Sequence, residues 1–436
     1  MNALLSLLVG LLWLMAAVRI LLNVPYLADV MTGLVLAFLA AGLLRLPRHT
    51  MILCGVLIVA MLALAQIYGQ WEAISAGIAK ASIFPAFLAT IVLLRAAADQ
   101  RPEIASARAL FGALPPRERD SGIVIGTHVI GAVLQVGVFA VLAPILGKDA
   151  PAAERRDVFT VAIRGMMTVP FWSPFIVGMA VASQYLPLVP LWQIMGLGLA
   201  LTVMAILVSI LLFDRNPGMG TLKRSLASLA PVSMPVFCAA LIVVGATGTT
   251  GLSTLQALIL VLPIPCILAV LTVRAGDLSM ALRQTASGIG RIGPETSVLV
   301  CSTTLGAVFE AALPHMGLLA WLQDLSLPPW AVILIVIMSM NFAGLFGMHA
   351  IVTGTFLLVI FTSVPTGLTD LILMQALLVG WGLCSGISIG SLTVATGAAM
   401  FRIPPTDLIT RANIAYVFLT STIAAAILWG LNTLLV

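Results

Sequence analysis

Charge is scarce in this chain, and lysine is scarcer still. Of 436 residues only 8% are Asp, Glu, Lys or Arg, three are lysines, 61% are apolar, and the mean hydropathy is +1.16. So thin a charged shell cannot cover this much apolar surface in water, which excludes a soluble globule and points to a polytopic membrane protein. The five cysteines, Cys54, Cys238, Cys266, Cys301 and Cys384, lie in apolar stretches without CxxC spacing, so neither a disulfide framework nor a zinc site is expected. No GxxxxGK[ST] loop is present; the nearest glycine run, Gly245-Ala246-Thr247-Gly248, sits in a turn between spans, so direct ATP use is not expected. There is no HExxH, no GxSxG and no pair of carboxylates within a span, which leaves an intramembrane enzyme little to work with. No catalytic residue, metal site or cofactor is assigned. The net charge of +5 comes from 18 arginines and 3 lysines placed in short loops between apolar runs. That is a signature of topology, and nucleic acid is excluded as a partner.

A helix needs about 20 apolar residues to cross about 30 Å of hydrocarbon. Residues 3–22, 27–45, 50–68, 83–97, 188–213, 232–248, 254–273, 295–314 and 413–435 meet that need. The first of them lacks a basic leader and a convincing cleavage site, so it is kept as a span. Two longer segments, 155–185 and 369–400, are interrupted in mid-course. Pro170 and Ser173-Pro174 break the first, and the run Ser385-Gly386-Ile387-Ser388-Ile389-Gly390 breaks the second. Proline removes a backbone donor and glycine loosens the helix, so polar backbone groups are freed at membrane depth.

With the amino terminus in the cytoplasm, nearly all basic residues fall inside only if residues 121–147 and 329–362 enter the membrane and turn back. Lys80 and Arg19 are the exceptions. The expected fold is therefore all-α, with eleven crossings and two re-entrant hairpins, in a bacterial plasma membrane. Two spans, an amphipathic stretch, a span, a hairpin, a broken helix and a last span occur in order in residues 27–213 and again in 232–436. An odd number of crossings separates the copies, so the second is inverted. Residues 1–26 form a leading helix and 214–231 a cytoplasmic linker. Matching places are taken by Pro115-Pro116 and Pro328-Pro329, by the short segments 105–114 and 317–325, and by the amphipathic stretches 71–82 and 277–292. Inverted repeats with broken helices are the architecture of secondary transporters whose site lies at the repeat interface.

The stretch Val298 to Trp321 (VLVCSTTLGAVFEAALPHMGLLAW), the Pro328-Pro329 pair, the run GLFGMHAIVTGTF from Gly344 to Phe356, the glycine-rich break from Gly380 to Gly390 and VPFWSP at Val169 to Pro174 carry a resemblance. Over most of residues 27–435 the chain resembles the ion transporter superfamily, which includes divalent-anion/sodium symporters and the large membrane subunits of TRAP transporters. The resemblance implies that two hairpin tips and two helix breaks surround the substrate and its coupling cations. It also implies that one domain moves as an elevator within a homodimer. A TRAP-type role would add a small membrane subunit and a periplasmic binding protein as partners.

Residue types mark the same places. The first tip is expected at Gly126-Thr127-His128, and the second either at Ser339-Met340-Asn341 or at Gly347-Met348-His349. Helix amino termini there offer amides to an anion and freed carbonyls can take a cation. Substrate contacts are expected from Thr127, His128, Ser173, Asn341, His349, Ser385 and Ser388, and ion contacts from Gly126, Thr168, Ser339, Gly347 and Gly386. His128 and His349 are either protonatable site residues or histidines hydrogen-bonded to a neighbouring helix. Arg164 either neutralises an anion or, the preferred reading, snorkels to the surface two turns from Arg156. Glu310 is either a proton carrier or an interface residue. Ser391 flanks the second break.

The expected function is secondary transport of a small organic or inorganic anion, driven by sodium or protons. The TRAP-type permease subunit is the first alternative, and a membrane scaffold or assembly factor without transport is the second.

Overall fold

The computed structural model describes residues 2–22, 24, 26–43, 46–101, 119–147, 149–214, 234, 237–272 and 275–436. Every regular element among them is helical. The first five helices are α1 (Asn2–Leu22), α2 (Leu27–Leu43), α3 (Arg48–Tyr68), α4 (Glu72–Ala81) and α5 (Phe84–Asp99). Then come α6 (Arg119–Leu134), α7 (Val138–Leu142), α8 (Ala152–Met167), α9 (Val177–Tyr185), α10 (Leu191–Phe213) and α11 (Phe237–Thr250). The chain continues through α12 (Thr254–Val261), α13 (Pro263–Leu271), α14 (Ala275–Ile289), α15 (Gly293–Ala312) and α16 (Leu318–Asp324). It ends with α17 (Pro329–Leu345), α18 (Ala350–Thr362), α19 (Asp370–Cys384), α20 (Leu392–Phe401), α21 (Pro405–Leu408) and α22 (Arg411–Leu435).

Among the described residues, eight helical segments are long and apolar enough to cross a bilayer: 4–22, 48–68, 72–99, 119–142, 191–213, 254–271, 293–315 and 411–435. The chain is an α-helical membrane protein. Within the segment 254–271 the helical bonding is interrupted at Leu262, because Pro263 has no N–H to donate, and α13 follows with Pro263 as its first residue. The double proline Pro115-Pro116, the segment 105–114, Lys148 and most of the basic linker lie outside the described residues.

The chain forms two compact units, and neither is a continuous half of the sequence. One holds residues 1–100, 245–327 and 355–365, and the other 101–244, 328–354 and 366–436. Each half of the sequence thus contributes to both units, with the breaks after Met167 and Cys384 in the second; α11 and α18 are divided between them.

In the first unit α15 packs on α3 and α4, and α5 packs on α14 and α1. Close approach is made by glycine: a Cβ at Gly77 would stand 2.7 Å from the Thr304 backbone, and one at Gly288 would stand 2.6 Å from Val92. Lipid offers no hydrophobic reward for helix pairing, so such van der Waals seams carry much of the association.

The second unit pairs α6 with α8, and α17 with α19 and α22. At Gly165 of α8 an added Cβ would collide with the Val124 carbonyl of α6, and at Gly380 of α19 it would press to 3.0 Å on Met340 of α17.

Candidate functional site

The first break lies in the second unit. Helix α8 ends at Met167, a 3-10 turn runs from Val169 to Phe171, and α9 begins at Val177 after an irregular stretch. Pro170 and Pro174 cannot donate to the preceding turn, so carbonyls are left over. Side chains from three other places bond to carbonyls of this stretch. Thr202 Oγ1 of α10 donates to the Thr168 carbonyl at 3.2 Å, Gln375 Nε2 of α19 to that of Phe171 at 3.0 Å, and Gln135 Nε2 to that of Phe175 at 2.6 Å. Ser173 Oγ donates to the Ala132 carbonyl at 3.3 Å and accepts the Phe175 amide at 3.4 Å.

His128 is held on both ring nitrogens. The Trp172 indole N–H donates to Nε2 at 3.2 Å, and Nδ1 lies 2.8 Å from Thr168 Oγ1, which itself donates to the Gly165 carbonyl at 2.8 Å. An indole nitrogen only donates, so Nε2 is the acceptor and the proton sits on Nδ1. The imidazole is neutral and fully engaged. The arrangement is that of a histidine bonded to a neighbouring helix, here the break of α8. Thr127 Oγ1 is turned to its own helix, donating to the carbonyls of Ile123 at 2.6 Å and Val124 at 3.0 Å.

The turn expected at Gly126-Thr127-His128 is not there. Those residues are interior to α6, where Thr127 and the Val124 carbonyl press on Gly165 and Gly131 receives Met166. The interruption comes at Gln135, whose φ of 51° places a non-glycine residue in the left-handed region, followed by a 3-10 turn to Gly137. Such a residue costs of order 1 kcal/mol or more, offset here by the bond that its side chain makes to Phe175.

Of the two registers for the second turn, the one at Gly347 is found. Gly347 has φ 78°, its amide donates to the Gly344 carbonyl at 2.9 Å, and the Met348 amide donates to that of Ala343 at 2.9 Å. These two bonds form a Schellman motif that closes α17. His349, half-buried, starts α18 by accepting the Ile351 amide on Nδ1 at 3.3 Å. Ser339 and Asn341 belong to α17; Asn341 Nδ2 donates to Ser421 Oγ of α22 at 2.8 Å.

At the second break α19 ends at Cys384 and α20 begins at Leu392. Ser391 accepts the Val394 amide at 3.1 Å and donates to the Ser385 carbonyl at 2.6 Å, and Ser385 Oγ donates to the Gly382 carbonyl at 2.7 Å. The Gly347 carbonyl reaches this loop: a Cβ at Gly390 would come to 2.6 Å from its oxygen. Gly386 is covered by the Met167 side chain, and a Cβ at Gly382 would strike the Met167 carbonyl. Trp381 packs on Gly178 of α9.

Each turn therefore abuts the break of its own half, Gln135 on Phe175 and Gly347 on Gly390, and the two breaks abut each other through Met167, Phe171, Gly382 and Gly386. Two buried polar atoms beside them, Ser388 Oγ and Gln375 Oε1, have no hydrogen-bond partner. An oxygen-bearing pair among freed backbone groups can recognise a small polar ligand or a cation. Among the described residues no three His, Cys, Asp or Glu side chains cluster as a metal site would require.

Arg164 does not snorkel. It is 2% exposed, with Nε donating to Asn413 Oδ1 at 2.9 Å and its guanidinium carbon 4.9 Å from the Phe213 ring centroid. Glu310 is exposed on α15 of the first unit, with Lys80 as its electrostatic neighbour. Arg95 lies within α5 with Glu295 and Asp99 for electrostatic neighbours.

Sequence reasoning passed over Gln135, Gln375, Trp172 and Asn413. The signal for the two glutamines was present: an amide in an apolar run is costly there unless it has a partner. No protein-family model and no curated protein matches the chain.

Proposed function

We propose that this protein is a secondary active carrier that moves a small organic or inorganic anion across a bacterial plasma membrane, driven by sodium or protons. The observation that carries the reading is the meeting of both helix breaks and both turns in one compact unit, formed from matching parts of the two sequence halves. This reading takes the chain as two inverted repeats, with residues 121–147 and 329–362 as their re-entrant segments, and as an elevator. The likeness to the ion transporter superfamily points the same way.

Polarity supports an anion. Helix α9 begins inside the first break with no side-chain cap on its amino terminus, whereas α20, at the second, is capped by Ser391. Free amides and the positive end of a helix dipole favour negative charge. Ser388 and Gln375 supply oxygens suited to a coupling ion or to a ligand hydroxyl.

The test is uptake by the purified chain in proteoliposomes. Carboxylates, sulfonates and inorganic anions are offered with sodium or pH gradients, beside Ser388→Ala and Gln375→Leu. At least one anion is expected to accumulate, with both variants impaired. Uptake of none of them by chain that is shown to be folded sinks the carrier reading. Labelling of cysteines placed at Asp120 and Asp149 tests the first re-entrant segment, since labelling from opposite faces excludes it.

A further inference from the structure

Arg164 stands on α8 one turn before Thr168, the residue that holds His128 and opens the first break. Its Nε is used by Asn413, but Nη1 is buried with no hydrogen-bond partner, and so is Asn413 Nδ2. The faces of Phe213 and Tyr416 flank the guanidinium at 4.9 and 5.8 Å. Immediately after Phe213, just beyond the end of α10, Asp214 accepts Ser121 Oγ on Oδ2 at 2.8 Å, while its Oδ1 is buried and unpartnered. Among the described residues, the charged and titratable groups around this pair are Asp120 beside Ser121 on α6, Arg164 on α8 and Tyr416 on α22.

The unspent atoms are complementary: a guanidinium N–H and a carboxylate oxygen within electrostatic range, yet with no direct ion pair between Arg164 and either aspartate. A buried cation without a contacting counter-charge is costly. These atoms have almost no accessible surface, so a ligand of any volume is ill suited to them. A proton needs none.

We propose that Asp214 is a proton site whose charge state governs Arg164, so that the carrier reading above, on which this rests, is proton-coupled. When Asp214 binds a proton from water at its half-exposed face, its Oδ–H bond forms and the carboxyl becomes neutral, leaving Arg164 to Asn413. When the proton departs to water, the carboxylate draws Arg164 into a direct ion pair. That movement pulls on α8 one turn before the first break. Ser121 of α6 holds the carboxyl directly, and Arg164 of α8, itself held by Asn413 of α22, lies within its electrostatic reach, so the charge change is felt by the helix leading into the site as well as by its two neighbours. Burial pushes the Asp214 carboxyl up to about 6, opposed by the Ser121 hydrogen bond, reinforced by Asp120 and opposed by Arg164.

Infrared pH titration of the purified full chain tests the site without a substrate. The wild type is expected to show a carboxyl band that titrates near pH 6 and is missing in Asp214→Asn. Arg164→Gln moves the midpoint to higher pH by about one unit, Asp120→Asn moves it lower, and Arg164→Lys, which keeps the charge, leaves it near wild type. A band that survives in Asp214→Asn, or ignores Arg164→Gln in protein that Arg164→Lys shows to be foldable, overturns the proposal. Proteoliposome uptake separates it from the carrier reading. Accumulation driven by a pH gradient and lost in Asp214→Asn supports both, whereas accumulation driven by sodium alone and indifferent to pH removes proton coupling and leaves the carrier. Titration lost in Asp214→Asn with no anion accumulated supports the proton site and removes the carrier.

Discussion

Trp172 donates its indole N–H to His128 Nε2 at 3.2 Å, and this one bond sets the tautomer of the histidine. With Nε2 accepting and the Nδ1 proton directed at Thr168, both ring nitrogens are engaged within the protein. Trp172→Phe leaves Nε2 buried and unpaired, at a cost of about 1–3 kcal/mol, seen as a lowered midpoint of thermal unfolding. His128→Gln is expected to leave any pH dependence of stability in place. Loss of that dependence in His128→Gln contradicts the fixed neutral tautomer.

Gln135 combines an unfavourable backbone with a favourable side chain, and the two are separable. Gln135→Ala keeps the left-handed φ of 51° and loses the bond to the Phe175 carbonyl; Gln135→Gly loses the bond but adopts that backbone without strain. Both variants are destabilised, and the alanine variant by about 1 kcal/mol more than the glycine variant. Thermal midpoints in the reverse order contradict the left-handed turn at this residue.

Glycine accounts for much of what was and was not legible in the sequence. The breaks at Pro170–Pro174 and Ser385–Gly390 could be read because proline and serine–glycine runs act on their own backbone. The turn placed at Gly126 could not, since a glycine in an apolar helix serves either a turn or a close helix contact, and the choice rests with a partner far along the chain. Gly126 and Gly131 lie in a helix that packs on α8, and the true turn fell on a glutamine. Arg164 was misread for the same reason: Asn413, which holds it, is 249 residues away. The interleaving of the two units is likewise set by long-range packing that hydropathy does not encode.

Gly382 tests the contact between the breaks. A Cβ there meets the Met167 backbone carbonyl, which cannot rotate away as a side chain would. Gly382→Ala is expected to cost about 1–3 kcal/mol or to prevent folding. Gly430, also helical, has no atom within 4 Å of an added Cβ, so Gly430→Ala is expected to be neutral or stabilising by up to about 1 kcal/mol. Equal yields and thermal midpoints for the two variants contradict the tight approach.

Asn341, expected in the sequence as a substrate ligand, ties α17 to α22 through Ser421 at 2.8 Å, and its Oδ1 is buried with no hydrogen-bond partner. The single variants Asn341→Ala and Ser421→Ala should each lower stability, and the double variant by less than their sum, with a coupling of about 0.5–1.5 kcal/mol. Additive effects, or loss of uptake in Asn341→Ala at unchanged stability, return the residue to the binding site.

The sign of the pH effect at Asp214 follows from its environment. In the folded chain its carboxyl titrates at about 6, above an ordinary carboxylate value of 3.8. The folded state therefore holds the proton more tightly than the unfolded chain does. The stabilisation from that proton is fully present below the ordinary value and is lost as pH rises through 6. Thermal unfolding of the wild type is thus expected to have a midpoint that falls between pH 4 and pH 7 relative to Asp214→Asn, which carries no titrating group there. Comparing the two proteins at each pH cancels the other carboxylates, whose contributions run in the opposite direction over much of the same range. A wild-type midpoint that instead rises relative to the variant means that Asp214 is held as a carboxylate, paired with Arg164 from the outset.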